Sequence, residues 1–176
     1  MASVIEGAAL AEALGEAKAF LRRDGPGDDE LIARLIGSAA SLCEAFTGRW
    51  LLVREAQEYV ARSSAWMRLM AAPVRSIDGV DLIEAVGSIV ALEEGAFEID
   101  IDANGDGWVR VAGAGEGRLS VRFSAGTAEG WDALPEPLRQ GVIRLAAHLY
   151  TERESGAEPP AAVSALWRPW RRLRLR

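Results

Sequence analysis

The stretch DDELIARLIGSAASLCEAFTG, residues 28–48, carries the clearest helical pattern in the sequence. It begins with three acidic residues, which favour the positive N-terminal end of a helix, and it closes on Gly48, a residue type that commonly follows a helix end. Its apolar residues recur at three- and four-residue spacing, as one buried helix face requires. They are Leu31, Ile32, Leu35, Ile36, Ala39, Leu42, Cys43 and Phe46. This amphipathic helix needs a partner to cover its apolar face.

Helical spacing also occurs on both sides of this stretch. Residues 8–23 carry Leu10, Leu14, Ala17 and Leu21, and the turn RDGPGDDE separates them from the long helix. A third helix begins around Pro137, with Leu138, Val142, Leu145, Ala146, Leu149 and Tyr150 on one face, and we expect Pro159 and Pro160 to stop it. A short helix over residues 161–167 is predicted to follow. The two helical ends of the chain are expected to pack on each other.

Between the helical ends the apolar period changes from helical to alternating. Leu119, Val121 and Phe123 alternate with polar residues, and parts of LLVREAQEYV, SIVALEE and FEIDI do the same. Glycine and proline punctuate these runs at hairpin-like intervals. An antiparallel β insertion is therefore predicted.

The predicted fold is α+β, a helical base made of the N- and C-terminal helices with an inserted antiparallel β region and an extended C-terminal arm. Residues 1–50 supply the N-terminal helices, 51–125 the β insertion, 126–166 the C-terminal helices and 167–176 the arm. At 176 residues, 49% of them hydrophobic, the chain can bury roughly 70% of its unfolded surface in one core.

Charge is distributed unevenly along the chain. The net charge is −6, and the last ten residues hold five arginines and no acid, so residues 1–166 carry −11. Phosphate binding needs a cationic face. The acidic body is thus unsuited to coating nucleic acid, and only the tail is a candidate for a polyanion contact.

Compartment signals favour synthesis in a cytoplasm. The single cysteine, Cys43, cannot form an intramolecular disulfide and is expected to be a buried thiol. The N-terminal residues lack the basic region of a signal peptide. No run approaches the ~20 apolar residues of a membrane span.

No motif gives positive support for catalysis, a cofactor or a metal. In DIDANGDG, Asp100 to Asp106 resemble the start of an EF-hand loop, but position twelve is Val111 and the flanks read as strands. A hairpin turn at Asn104-Gly105 is the favoured interpretation. The only histidine, His148, is expected to pack in a helix, and the sole lysine, Lys18, follows no phosphate-binding glycine loop. We therefore predict a protein that is not an enzyme.

The C-terminal tail is the candidate partner-binding site, because tryptophan and arginine dominate interface hot spots. Its residues are Trp167, Arg168, Trp170, Arg171, Arg172, Arg174 and Arg176. A docking arm, a nucleic-acid contact, a membrane anchor and a solvated end are the alternatives. Docking is favoured because exposed tryptophans lower solubility, and because Pro169 breaks the helix that a membrane anchor needs. DNA contact comes second.

Four segments in order give a family resemblance. They are AKAFLR with an acidic turn, the long helix and TGR (17–49), PVRSIDGV (73–80), VRFSAG (121–126), and a proline-started helix ending in HLYTERE (148–154). Together they resemble the head-tail connector (adaptor) proteins of long-tailed phages, prophages and gene transfer agents, over most of the chain.

The resemblance implies a structural adaptor in a virion or phage-like particle, at the capsid-tail junction. It implies a homo-oligomeric ring of twelve subunits beneath the portal protein, with a stopper or tail-terminator protein below and DNA passing through the lumen without specific binding. It assigns portal engagement to the C-terminal segment, here Trp167 to Arg176, and implies no membrane contact. The main alternative is a small DNA-binding or packaging-associated protein that acts through its basic tail.

Overall fold

The computed structural model describes residues 4–84, 87–113, 115–152 and 159–172. The chain is α+β and divides into two compact units. Unit 1 comprises residues 1–52 and 128–176, and unit 2 comprises residues 53–127.

Unit 1 is helical, and its described part contains α1 (Gly7–Leu21), α2 (Asp29–Thr47), α3 (Glu136–Thr151), α4 (Ala161–Trp167) and a 3-10 turn (Arg168–Trp170). The long helix begins and ends as its sequence predicts. Asp29 and Glu30 occupy its acidic first turn. At the other end, Gly48 adopts the left-handed conformation, φ 68°, and its N–H donates to the Glu44 carbonyl. The packing of N- and C-terminal helices is confirmed, since α3 contacts both α1 and α2.

The core of unit 1 lies between these helices. Ile32, Ile36 and Cys43 of α2 and Leu138, Val142 and Ile143 of α3 are fully buried, together with Trp131. Polar groups at the margin are paired. The Trp131 indole donates to Glu16 at 2.8 Å, and the Tyr150 hydroxyl donates to Asp28 at 2.7 Å.

Two sequence-based details of unit 1 are wrong. Leu42 was expected in the buried face of α2 but is 50% exposed, and Ala40 is buried instead. The buried line runs through Ile32, Ile36, Ala40 and Cys43 at three- and four-residue spacing, which leaves Leu42 on the flank. Moreover, α3 ends at Thr151, before the two prolines, and Pro160 instead immediately precedes α4 as its N-cap residue.

Unit 2 is built from antiparallel strands, as predicted. They are β1 (Arg54–Ala61), β2 (Met67–Arg68), β3 (Val74–Ile83), β4 (Ile89–Ala91), β5 (Phe97–Ile101), β6 (Gly107–Val111) and β7 (Arg118–Ala125). One sheet has the strand order β1-β7-β3-β4, and the second has the order β2-β6-β5. Because β7 lies between β1 and β3, Val121 pairs with both Glu58 and Val80. Leu69, Val80, Val109, Leu119 and Phe123 are buried within the unit.

Candidate functional site

The described part of the C-terminal tail lies on unit 1. Pro160 sets the start of α4, and Pro169 falls in the first positions of the 3-10 turn, where its missing N–H costs no helical hydrogen bond. Val163 and Trp167 of α4 face the helical core, whereas Arg168 and Arg171 are exposed. Residues 167–172 are thus folded against the helices.

Trp167 is a core residue, only 3% exposed. Its indole N–H donates to the Leu138 carbonyl at 3.3 Å, and its ring lies 6.0 Å from the Phe46 ring at a tilted angle of 51°. A Cβ on Gly141 would lie 2.0 Å from the indole nitrogen. Glycine at position 141 therefore creates the space that the tryptophan fills.

The residues after Trp167 are fastened to the end of α2. The Arg172 backbone N–H donates to the Thr47 carbonyl at 2.8 Å, and its guanidinium donates to the Gly48 carbonyl at 3.3 Å. In return, Arg49 donates to the Trp170 carbonyl at 3.1 Å. The C-terminal end of a helix carries partial negative charge and unpaired carbonyls, so arginines are suited to this position.

This arrangement leaves a small basic surface, which we call the tail platform, formed by Arg168, Trp170, Arg171 and Arg172. Arg168 and Arg171 are exposed, while Trp170 is half-buried and packs on the helical core. The Arg171 guanidinium lies 5.6 Å from the centre of the Phe46 ring, within cation–π range. Arg174 and Arg176 lie outside the described residues.

The structure places Trp167, one of the predicted docking residues, within the core of unit 1. The tail was predicted to hold both tryptophans for a partner, on the argument that they would lower solubility if exposed. Trp167 does not need a partner to be shielded from solvent, because its indole inserts beside Gly141 of the same chain. Sequence reasoning also missed Arg49 and Gly141; a glycine within the apolar face of α3 was the available signal for a close approach.

The motif DIDANGDG forms the turn between β5 and β6, so the hairpin prediction is confirmed. Asp102 Oδ1 accepts from the Asn104 N–H at 2.8 Å and from the Asp106 N–H at 3.0 Å. Gly105 has φ 78°, as a tight turn needs. Asp106 lies 3.6 Å from Arg68. Asp102 thus stabilises the backbone of this loop.

The remaining candidates, Cys43 and His148, lie on helices of unit 1. Cys43 is fully buried, and burial, reinforced by the neighbouring Glu44 carboxylate, raises the pKa of its thiol far above the ordinary range. His148 belongs to the last turn of α3. No cluster of three metal-ligand side chains occurs within the described ranges. None of the helices that the structure describes is both long and apolar enough to cross a membrane.

Solved structures with the same fold come from gene transfer agent (GTA) particles. A chain in the neck of an empty GTA particle, computed with C6 symmetry, matches with a TM-score of 0.80 and 24% identity, over 97% of this chain and 95% of that one. A chain in the virion of a native GTA particle matches with a TM-score of 0.77 and 26% identity, over 99% and 96%. A chain in the neck of a native particle, computed with C12 symmetry, gives 0.76 and 26%, over 97% and 94%.

The chain shares the fold of GTA neck proteins over nearly its whole length. No protein-family model matches its sequence, and no curated protein matches it. The structural matches agree with the sequence-based prediction of a particle component at the level of the neck.

Proposed function

We propose that this chain is a structural head-tail adaptor, which forms a ring beneath the portal, connects the capsid to the tail and lets DNA pass. The observation that carries the proposal is the match to chains of GTA necks and of a GTA virion, over 97–99% of this chain. A match of this extent includes both units, so it does not depend on one common motif.

The proposed assembly is a ring of identical subunits. The matched necks were computed with C6 and C12 symmetry, and the family resemblance favours twelve copies. Head-to-tail contacts around a rotation axis close such a ring, provided that each subunit offers two different surfaces. A stopper or tail-terminator protein is the proposed partner below the ring.

Charge supports a passive DNA channel. Residues 1–166 carry a net charge of −11, so the body repels phosphates, whereas a cationic lumen would bind DNA with salt-dependent strength. Repulsion of this kind allows DNA to slide during packaging and ejection.

The tail platform is the proposed portal contact. Arg168 and Arg171 present two guanidinium groups beside the half-buried Trp170, a residue combination typical of interface hot spots. Trp167 holds this platform in place from within the core. Arg174 and Arg176 extend the basic sequence beyond it.

Cryo-electron microscopy of purified particles tests the adaptor role. We expect a ring of this chain at the capsid-tail junction, with residues 168–172 against the portal. Absence of the chain from mature particles would overturn the proposal and favour an assembly or packaging factor.

Binding to purified portal tests the platform. The double variant Arg168→Ala, Arg171→Ala should bind at least about tenfold more weakly, and its stability should fall by no more than about 1 kcal/mol, through loss of the Arg171–Phe46 contact. Arg34→Ala is the matched control, since Arg34 is an exposed arginine of α2 that is 3.7 Å from Glu30. Equal binding by the double variant and the control would refute the contact. A gel shift that weakens steeply with salt and disappears in the double variant would instead assign the arginines to DNA.

A further inference from the structure

Thr47, Gly48 and Arg49, at the C-terminal end of α2, form what we call the helix-end clamp. Each of them shares a hydrogen bond with the C-terminal tail. The Thr47 carbonyl accepts from the Arg172 N–H at 2.8 Å, and the Gly48 carbonyl accepts from the Arg172 guanidinium at 3.3 Å. The Arg49 Nε donates to the Trp170 carbonyl at 3.1 Å. The clamp therefore bonds the tail backbone on both sides of one intervening residue.

That intervening residue is Arg171, an exposed member of the tail platform. The peptide group before it contains the Trp170 carbonyl, which the Arg49 side chain binds. The peptide group after it contains the Arg172 N–H, which the Thr47 carbonyl binds. Because a residue has only two soft backbone dihedrals, fixing both flanking peptide groups also fixes the direction of its Cα–Cβ bond. The clamp thus determines where the Arg171 side chain leaves the backbone.

Arg49 is itself held by the end of α2. Its backbone N–H donates to the Thr47 hydroxyl at 3.3 Å, and that hydroxyl donates to the Cys43 carbonyl at 2.7 Å. Thr47 is fully buried, so this anchor is shielded from water. Since the backbone of Arg49 is fixed in advance, its bond to the Trp170 carbonyl costs less conformational entropy than a bond from a free arginine would.

The contact of Arg171 with Phe46 does not replace the clamp. The Arg171 guanidinium lies 5.6 Å from the centre of the Phe46 ring, near the outer limit of a cation–π interaction, and such contacts are weak at exposed sites. A long arginine side chain keeps much of its freedom in a contact of this kind. The backbone bonds made by Thr47 and Arg49 are therefore the stronger constraint on the platform.

We propose that Arg49 is a positioning residue for the portal contact, which acts through Arg171 and does not touch the portal itself. The inference rests on the proposed function, because it requires that the tail platform meets the portal. With the Trp170 carbonyl bound, the platform is ordered before docking, so docking does not have to order it. Without Arg49 a smaller fraction of subunits presents the ordered platform, and the apparent affinity falls by that fraction.

Portal binding by Arg49→Ala, alone and combined with Arg171→Ala, tests the proposal. The net contribution of one hydrogen bond corresponds to about three- to tenfold in an equilibrium constant, and Arg49→Ala should weaken binding by about that factor. In the Arg171→Ala background the same change should have less than about a twofold effect, because the side chain that Arg49 positions is absent. Additive losses would show a direct contact or a general loss of structure, and would overturn the proposal.

The variant Arg49→Gln separates the hydrogen bond from the charge. The Nε2 of glutamine lies the same number of bonds from the backbone as the Nε of arginine, and it also donates. If Arg49 acts through the Trp170 carbonyl, Arg49→Gln should bind the portal within about twofold of the wild type. Binding as weak as that of Arg49→Ala would indicate that the positive charge of Arg49 contacts the portal, which contradicts a positioning role.

Lys18→Ala is the matched control. Lys18 donates to the Gly25 carbonyl at 2.7 Å, so this variant also removes a bond from a basic side chain to a backbone carbonyl of unit 1, but before the start of α2. It should leave portal binding within about twofold of the wild type. In the isolated subunit, the Arg172 amide should exchange hydrogen faster in Arg49→Ala than in Lys18→Ala. Equal exchange, or equal loss of binding, in the two variants would overturn the proposal.

The outcomes separate this role from the portal contact itself. If Arg168→Ala, Arg171→Ala loses binding while Arg49→Ala binds like the wild type, the positioning role is overturned and the portal contact stands. If Arg168→Ala, Arg171→Ala binds like the wild type, the portal contact fails and the positioning role fails with it.

Discussion

Replacement of Trp167 by alanine should destabilise the subunit. The side chain is 3% exposed, packs against Phe46 and satisfies the Leu138 carbonyl. Changes of a buried tryptophan to alanine cost about 3–5 kcal/mol, through lost burial and the cavity left behind. The total free energy of unfolding of a native domain is about 5–15 kcal/mol. We therefore expect Trp167→Ala to remove at least about a fifth of the stability of unit 1.

Urea unfolding followed by circular dichroism at the helical band measures this loss, because unit 1 holds the helices. Trp170→Ala provides the comparison within the same tail. Trp170 is half-buried, so its removal exposes less apolar surface and should cost less than half as much. Hydrogen exchange should show faster opening of α4 in Trp167→Ala than in Trp170→Ala.

The opposite ranking would refute this reasoning. If Trp167→Ala unfolds like the wild type and loses portal binding directly, the indole is a partner contact and the tail is an exposed arm. Equal destabilisation by both substitutions would likewise contradict the assignment of Trp167 as the anchor.

Three further predictions concern single sites. Gly141→Ala should lower stability by about 1–3 kcal/mol through overpacking against Trp167, although alanine is the better helix former. In a Trp167→Ala background the same change should raise stability, because the space beside residue 141 is then open. Thermal unfolding of the wild type, both single variants and the double variant measures this reversal. Cys43 should resist iodoacetamide at pH 8 in the folded protein and react in guanidinium. Because its raised pKa keeps the folded thiol protonated, stability should fall by about 1.4 kcal/mol per pH unit above about pH 8.5, a slope absent from Cys43→Ala. Asp102→Ala removes two turn hydrogen bonds and should cost about 0.5–2 kcal/mol in urea unfolding.

The helices were predictable because local chemistry determines their ends. Asp29, Glu30 and Gly48 mark the limits of α2 within a residue of the structure. The apolar period also identified most of the buried face, but how far that face extends around the helix depends on the neighbouring helices. Leu42 was therefore assigned to the core wrongly, although the period itself was read correctly.

Strand positions were also predictable, since alternation is a local pattern, but the pairing was not. The centre of the first sheet is β7, which joins strands that come much earlier in the sequence. Pairs such as Tyr59 with Ser120 join strands that are separated by five other strands in the sequence, and neither strand carries a local pattern that identifies its partner. The division of the chain into residues 1–50, 51–125, 126–166 and 167–176, each with its own role, stays a prediction.

The residue types of the tail and its contacts with unit 1 give different information about its role. Its arginines and tryptophans predicted a docking surface from residue type alone, and that role is still a proposal. The structure adds that Trp167 and Arg172 are already engaged with unit 1. Gly141 in the apolar face of α3 signalled a close approach, but that Trp167 is the residue that fills the space becomes visible only when α3 and α4 lie together.

An anchored tail alters the energetics of docking. A free arm loses conformational entropy when it binds, at about 0.5–1.5 kcal/mol for each immobilised long side chain. Here folding of the subunit has already ordered the backbone of residues 167–172, through Trp167 and the bonds to Thr47 and Gly48. Portal affinity under the proposed function therefore depends on Trp167 indirectly, because loosening the anchor releases the platform. Loss of binding in Trp167→Ala alone thus identifies no contact, whereas loss in the stably folded variant Arg168→Ala, Arg171→Ala does.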